Sequence, residues 1–149
     1  MNLYETYKDI IEDYFKECWH WKPKEEHRKE VKKNLEKIDK IAEKIQMKVD
    51  VVIPAITKNI HIFIKHPILQ DKYLIEYNLS DTHIKFCGLP KPYKFRYHDG
   101  DEIFISYSML ELQKKATISD VVECILNNVN ETKKWLIELN KQNIEQDFK

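Results

Sequence analysis

The chain has 149 residues and carries 25 Lys and Arg against 25 Asp and Glu, so its formal charge is zero. That balance argues against a dedicated nucleic-acid binder, whose affinity rests on phosphate neutralisation. Its 42% hydrophobic content suffices for one core, and the only glycines, Gly88 and Gly100, exclude a phosphate-cradling Walker or dinucleotide loop.

No apolar run approaches the roughly 20 residues that span a bilayer. The start, Met1-Asn2-Leu3-Tyr4-Glu5, lacks the basic and apolar stretches of a secretory signal. Cys18, Cys87 and Cys124 are odd in number and show no C-x-x-C spacing, which fits a reducing compartment. The expectation is one cytoplasmic domain over residues 1–149, with no membrane partner and no cofactor. Only Arg28 and Arg96 are arginine; the remaining basic residues are lysine, a solvated point charge and not a bidentate phosphate grip.

The first segment predicts an amphipathic helix. Leu3, Tyr4, Tyr7, Ile10, Ile11, Tyr14, Phe15, Cys18 and Trp19 recur at steps of three and four, and the helix should stop near Trp21 because Lys22 precedes Pro23. A second helix is expected from Pro23 to Met47, with Glu25 and Glu26 at the favourable end of its dipole. Its apolar residues Val31, Leu35, Ile38, Ala42, Ile45 and Val49 make a two-in-seven stripe. Such a stripe reads as a seam with the first helix, or as a homo-oligomer contact through residues 31–49. Residues 1–21 carry net charge −3 and residues 22–48 net +4, which favours the intramolecular hairpin. Lys29, Lys32, Lys33, Lys37, Lys40 and Lys44 give the second helix a basic face.

Over residues 48–107 the period changes to two, predicting six antiparallel strands at 49–53, 59–65, 72–79, 82–87, 93–97 and 101–107. The inward sets are Val49/Val51/Ile53, Ile60/Ile62/Ile64, Tyr73/Ile75/Tyr77, Ile84/Phe86, Tyr93/Phe95/Tyr97 and Ile103/Ile105/Tyr107. Short connections make a meander the simplest topology. A three-residue loop, His98-Asp99-Gly100, pairs Phe95 with Ile103 and Tyr93 with Ile105. It also sets Arg96 opposite Glu102, an exposed ion pair worth at most about 1 kcal/mol. Met109 to Lys115 suggests a helical turn. A C-terminal helix follows, with Thr117 as its cap and Asn127-Asn128-Val129-Asn130 as a point where it could split in two. The expected fold is α+β: two N-terminal helices, a six-stranded antiparallel meander, and a C-terminal helical segment packed on one sheet face.

The chemistry-bearing residues are sparse, and no family's signature motif is present. G-x-S-x-G, H-E-x-x-H and S-x-x-K are absent. His61, His83 and His98 share the outer sheet face with Glu76 and could hold a metal, but their spacing matches no metal motif and lysines interleave with them. Cys87 lies near Lys85, which could lower its pKa, yet no base accompanies it. Cys18 and Cys124 read as small core residues. The chain thus reads as a non-enzyme, with metal-assisted hydrolysis the remote alternative. On the outer face Val52, Phe63, Leu74 and Phe104 place one apolar residue on each of four strands; with Arg96 they define a candidate partner-binding surface. Tyr73, Tyr77, Tyr93, Tyr97 and Tyr107 fall on the inward face, where each phenol needs a hydrogen-bond partner, and they define a candidate small-ligand cavity. The functional expectation is macromolecular binding of the adaptor, inhibitor or immunity type, as mobile elements encode. Its contacts are assigned to the outer sheet face and the basic second helix, with a protein as the partner. A small-molecule or nucleotide binder using the tyrosines is the second reading.

Overall fold

The computed structural model describes residues 2–147 except Cys18, Gln70, His98, Asp99 and Lys114; side chains are described outside 94–104 and 142–147. The expected first helix divides into α1 (Leu3–Thr6) and α2 (Lys8–Glu17). Asn2 caps α1, its side chain accepting the Glu5 N–H at 3.1 Å. The joint falls at Tyr7, where φ −110° and ψ 20° depart from helical values. Because α2 ends at Glu17, Trp19 lies outside any helix and leaves the apolar stripe to which periodicity assigned it.

Pro23 fixes the entry to α3 (Lys24–Ile45), and Gln46 closes it in the left-handed conformation at φ 55°. There the Met47 N–H donates to the Ala42 carbonyl at 3.2 Å, satisfying a terminal acceptor. Val31, Leu35, Ile38, Ala42 and Ile45 are buried as expected, and His27, Asn34 and Ile41 widen the stripe into an ordinary core face. That face packs inside its own chain, in one cluster with α1, α2, the sheet and the last helix. The seam over residues 31–49 is therefore corrected as a homo-oligomer contact: a second copy would have to unpack the core. Arg28 ties α3 back to α2, pairing with Glu12 and lying 5.0 Å over the Phe15 ring. The Leu3 N–H donates to Asp39 at 2.9 Å.

All six expected strands form, but they do not make one meander. The strands β1 (Asp50–Val52), β2 (His61–Lys65), β3 (Tyr73–Asn78) and β4 (Lys85–Cys87) pair in sequence. β5 (Lys91–Tyr97) and β6 (Gly100–Ser106) leave to form a separate two-stranded sheet. β7 (Met109–Glu111), where a helical turn was expected, returns to pair with β4 and gives the order β1-β2-β3-β4-β7. Pro90 and Pro92 cannot donate to a ladder, so the chain entering β5 cannot continue against β4. Gly88 marks the crossing of entry and exit: its N–H donates to the Ser108 carbonyl at 2.9 Å, and a Cβ there would sit 3.2 Å from that oxygen.

The hairpin register also differs from expectation. Phe95 faces Glu102, Arg96 faces Asp101, Tyr97 faces Gly100, and Tyr93 faces Phe104. The parity argument for Phe95 with Ile103 presumes one face buried on the common core. Among the described residues this ribbon pairs with no other strand, so no neighbouring strand imposes that parity. The loop residues His98 and Asp99 lie outside the described residues.

Within the main sheet, Ile60, Ile62, Ile64, Ile75, Tyr77 and Ile84 are buried as assigned. A bulge in β3 then reverses the alternation: Ile64 pairs with Ile75 and Lys65 with Tyr73, leaving Leu74 as the extra residue. Leu74 consequently enters the core at 0% exposure, and Tyr73 turns to the outer face. Both assignments are corrected by this one insertion. Leu74→Ala should cost about 2–4 kcal/mol of unfolding free energy in urea titration, and Tyr73→Ala distinctly less, the reverse of simple alternation.

The C-terminal segment is a single helix, α4 (Ile118–Asp147), capped by the Thr117 hydroxyl, which accepts the Asp120 N–H at 3.1 Å. It does not split at residues 127–130. Among the described residues, no helix is long and apolar enough to cross a membrane.

Candidate interaction site

Of the four residues expected to form an outer-face patch, the three whose side chains are described, Val52, Phe63 and Leu74, do not make one. Leu74 is in the core. Phe63 is only 6% exposed, sealed beneath the rings of His61 (4.9 Å) and Tyr73 (4.9 Å). Val52 is exposed at the sheet edge opposite His61. Phe104 sits on the separate ribbon; its side chain and that of Arg96 lie outside the described residues. What covers this face is a ladder of alternating charge. Glu76 pairs with Lys85, and Lys85 with Glu111, while His61 approaches Glu76 at 3.1 Å and His83 approaches Glu111 at 3.8 Å. His61 and Glu76 thus come together, but His83 turns to a different carboxylate and His98 lies outside the described residues. Among the described residues no three His, Cys, Asp or Glu groups are placed to hold a metal ion.

The five tyrosines also disperse. Tyr77 is sealed in the core, its hydroxyl 3.4 Å from the Asn34 amide nitrogen, and burial pushes that phenol well above its ordinary pKa. Tyr107 donates to the Tyr73 carbonyl at 2.8 Å. Tyr73 faces outward, Tyr93 is exposed on the ribbon, and the Tyr97 side chain lies outside the described residues. Among the described residues, Tyr73, Tyr77, Tyr93 and Tyr107 thus stand in different surroundings. Cys87 is buried, not partly exposed, and burial pushes its thiol up to about 12, which removes it as a nucleophile. Cys124 is exposed, since it flanks the α4 face that buries Val121, Ile125 and Val129. Cys18 lies outside the described residues. On α3, Lys29, Lys32, Lys33, Lys40 and Lys44 are exposed and Lys37 is half-buried, but Glu36 and Glu43 interrupt them and Lys32 lies 5.4 Å over the Tyr4 ring.

A different surface concentrates exposed apolar side chains. The α2–α3 connection presents Trp19 (87% exposed) and Trp21 (67%), and the β1–β2 connection presents Ile56 (94%). Both connections are fastened to one residue of the β3–β4 turn. Ser80 gives its carbonyl to His20 Nε2 at 3.3 Å, its hydroxyl accepts from the Asn59 amide at 2.9 Å, and its N–H donates to Asn59 Oδ1 at 3.2 Å. The imidazole of His20 has a defined tautomer: Nδ1 accepts the Lys22 N–H at 3.1 Å, so Nε2 carries the proton toward Ser80. It stacks at 3.8 Å on His27, which bonds the Leu79 carbonyl at 2.7 Å, and at 5.6 Å on Trp21. The loops are therefore held by backbone carbonyls and stacked rings, and their apolar side chains stand in water on a fixed base.

Two grooves flank Trp19. The larger, about 310 Å³, has Tyr14, Trp19 and Ile56 as walls, with Asn59 and Ser80 at one side and the charges of Glu17 and Lys58 at its edge. The smaller, about 140 Å³, is lined by Phe15, Trp19, His20, Lys22, Lys24 and His27. The one sequence signal for this site is the density of Trp19-His20-Trp21-Lys22-Pro23 at a helix break; periodicity had absorbed Trp19 into the first helix. Comparison with protein-family models, with curated proteins and with solved structures finds no match.

Proposed function

We propose that the protein acts by binding a partner protein, in the adaptor, inhibitor or immunity manner, through the edge formed by Trp19, Trp21 and Ile56. The observation that supports this reading is that two connections far apart in sequence, both bonded to Ser80, hold Trp19 and Ile56 almost wholly in water and Trp21 two-thirds so. Folding gains nothing from that exposure, whereas association recovers the hydrophobic free energy. Tryptophan is also the residue type most enriched where interfaces concentrate their energy. The outer sheet face and the basic side of α3, expected to carry the contact, offer an interlocked charge ladder and a mixed-sign surface instead. The reading keeps the cytoplasmic location expected from unpaired thiols.

The test is affinity capture from the source cell with the wild-type chain and the variants Trp19→Ala and Ile56→Glu. Both side chains are solvated, so neither change should shift the unfolding midpoint. Partner recovery should fall about thirtyfold for Trp19→Ala, the scale of an interface hot spot. A partner retained by both variants removes this edge as the binding surface.

A further inference from the structure

Resting on the reading of this edge as a protein-binding surface, we infer that its occupant is an acidic segment of the partner, in which a bulky apolar side chain lies next to a carboxylate. The two grooves differ in chemistry and share the Trp19 wall. The larger is bounded by Tyr14, Trp19 and Ile56 and suits one large apolar side chain. The smaller includes Lys22 and Lys24 and no carboxylate. It also lies where α3 begins; Glu25 and Glu26 already occupy the first turn there, so the lysines of the groove, and not the helix dipole, are what would meet an anion. Lys22 is shared with Glu30 at 2.5 Å, so Lys24 is the cation left to meet an incoming charge. Lys58 also lines the larger groove.

The same features disfavour a nucleic-acid strand. Arg28, the arginine of α3, is committed to Glu12 and Glu25 and does not offer a bidentate phosphate grip, and Glu17 on the larger groove leaves the smaller groove, with Lys24, as the place for a single carboxylate. Lys24 in the smaller groove and Lys58 in the larger suit a single carboxylate beside an apolar side chain better than a run of phosphates.

The experiment pans a random-peptide phage library on the immobilised full-length protein, counter-selecting on Trp19→Ala. Enriched peptides should pair Asp or Glu with a neighbouring Leu, Phe or Trp. A synthesised consensus should lose affinity about tenfold on Lys24→Glu and weaken as salt is raised, with no change in thermal unfolding. Trp19-dependent peptides that lack acidic residues, or that ignore Lys24→Glu, overturn the acidic occupant and leave the tryptophan edge standing. Failure to enrich any Trp19-dependent peptide counts against both. Trp19-dependent binding of an oligouridylate tighter than that of the peptides overturns the inference in favour of single-stranded RNA.

Discussion

Asn128→Ala should destabilise the protein by about 3–5 kcal/mol, although it lies where the C-terminal helix was expected to be weakest. Asn128 is fully buried. Its Oδ1 accepts from His66 Nε2 at 2.8 Å, and its Nδ2 donates to the Gly88 carbonyl at 2.5 Å. It thereby joins α4 to the end of β2 and to the crossing at Gly88. Truncation strands two buried polar groups, each at about 1–3 kcal/mol, and leaves a void besides. The nearby Thr132 hydroxyl donates to the Asn128 backbone carbonyl at 2.8 Å and cannot substitute. For a chain of this size the loss corresponds to a fall in the unfolding midpoint of about 10 °C. Asn128→Asp distinguishes the two bonds: it still accepts from His66 but opposes the Gly88 carbonyl, and its charge should raise the His66 pKa in an NMR titration. An Asn128→Ala variant within about 1 kcal/mol of wild type in urea denaturation would show that the network does not hold α4.

That residue also shows what the sequence left illegible. Asparagine is a poor helix former, so residues 127–130 read as a break; burying one side chain between two polar partners overrode propensity. The apolar alternation of Ile60, Ile62 and Ile64 was legible because all three side chains enter the core that the helices share. The bulge at Leu74 was not. Tyr73 and Leu74 both suit a strand, and only the pairing with Lys65 decides which of them faces inward. The departing hairpin had a signal in Pro90 and Pro92 that alternation alone outweighed. The tryptophan edge was hidden for a related reason. Periodicity through Trp19 is real, but α2 stops two residues earlier, and a residue beyond a helix end no longer belongs to its face.

Acidification from pH 7 to 5 should weaken the fold at up to about 2.7 kcal/mol per pH unit, the slope of two protons taken up on unfolding. The two sites are His66 and His27, both buried. Burial holds each imidazole below its ordinary pKa, with the Asn128 and Leu79 hydrogen bonds working against that effect. A lowered folded pKa means that the fold favours the neutral ring. The stabilisation is thus complete above pH 6.5, the ordinary value, and is lost as pH falls from there through the folded values. His66 should dominate. Its Nδ1 accepts the Ile68 and Leu69 N–H groups, both at 3.1 Å, so a second proton would break two bonds in a site whose other neighbours, Asn128 and the Tyr107 ring, are neutral. At His27 a nearby Glu30 eases protonation, while His20 and Lys22 oppose it. Two carboxyls bracket the window with opposite signs. Asp39 is raised by burial, so acid relieves its penalty, whereas Glu12, lowered by Arg28, loses its contribution only as pH falls below its ordinary 4.5. Urea titrations at pH 7, 6 and 5 measure the slope, and nitrogen NMR should find His66 protonated on Nε2 alone throughout the folded range. A stability that stays flat over this interval would mean that both rings take up protons without leaving their partners, and the buried histidine network would then have no part in holding α3 and α4 to the sheet.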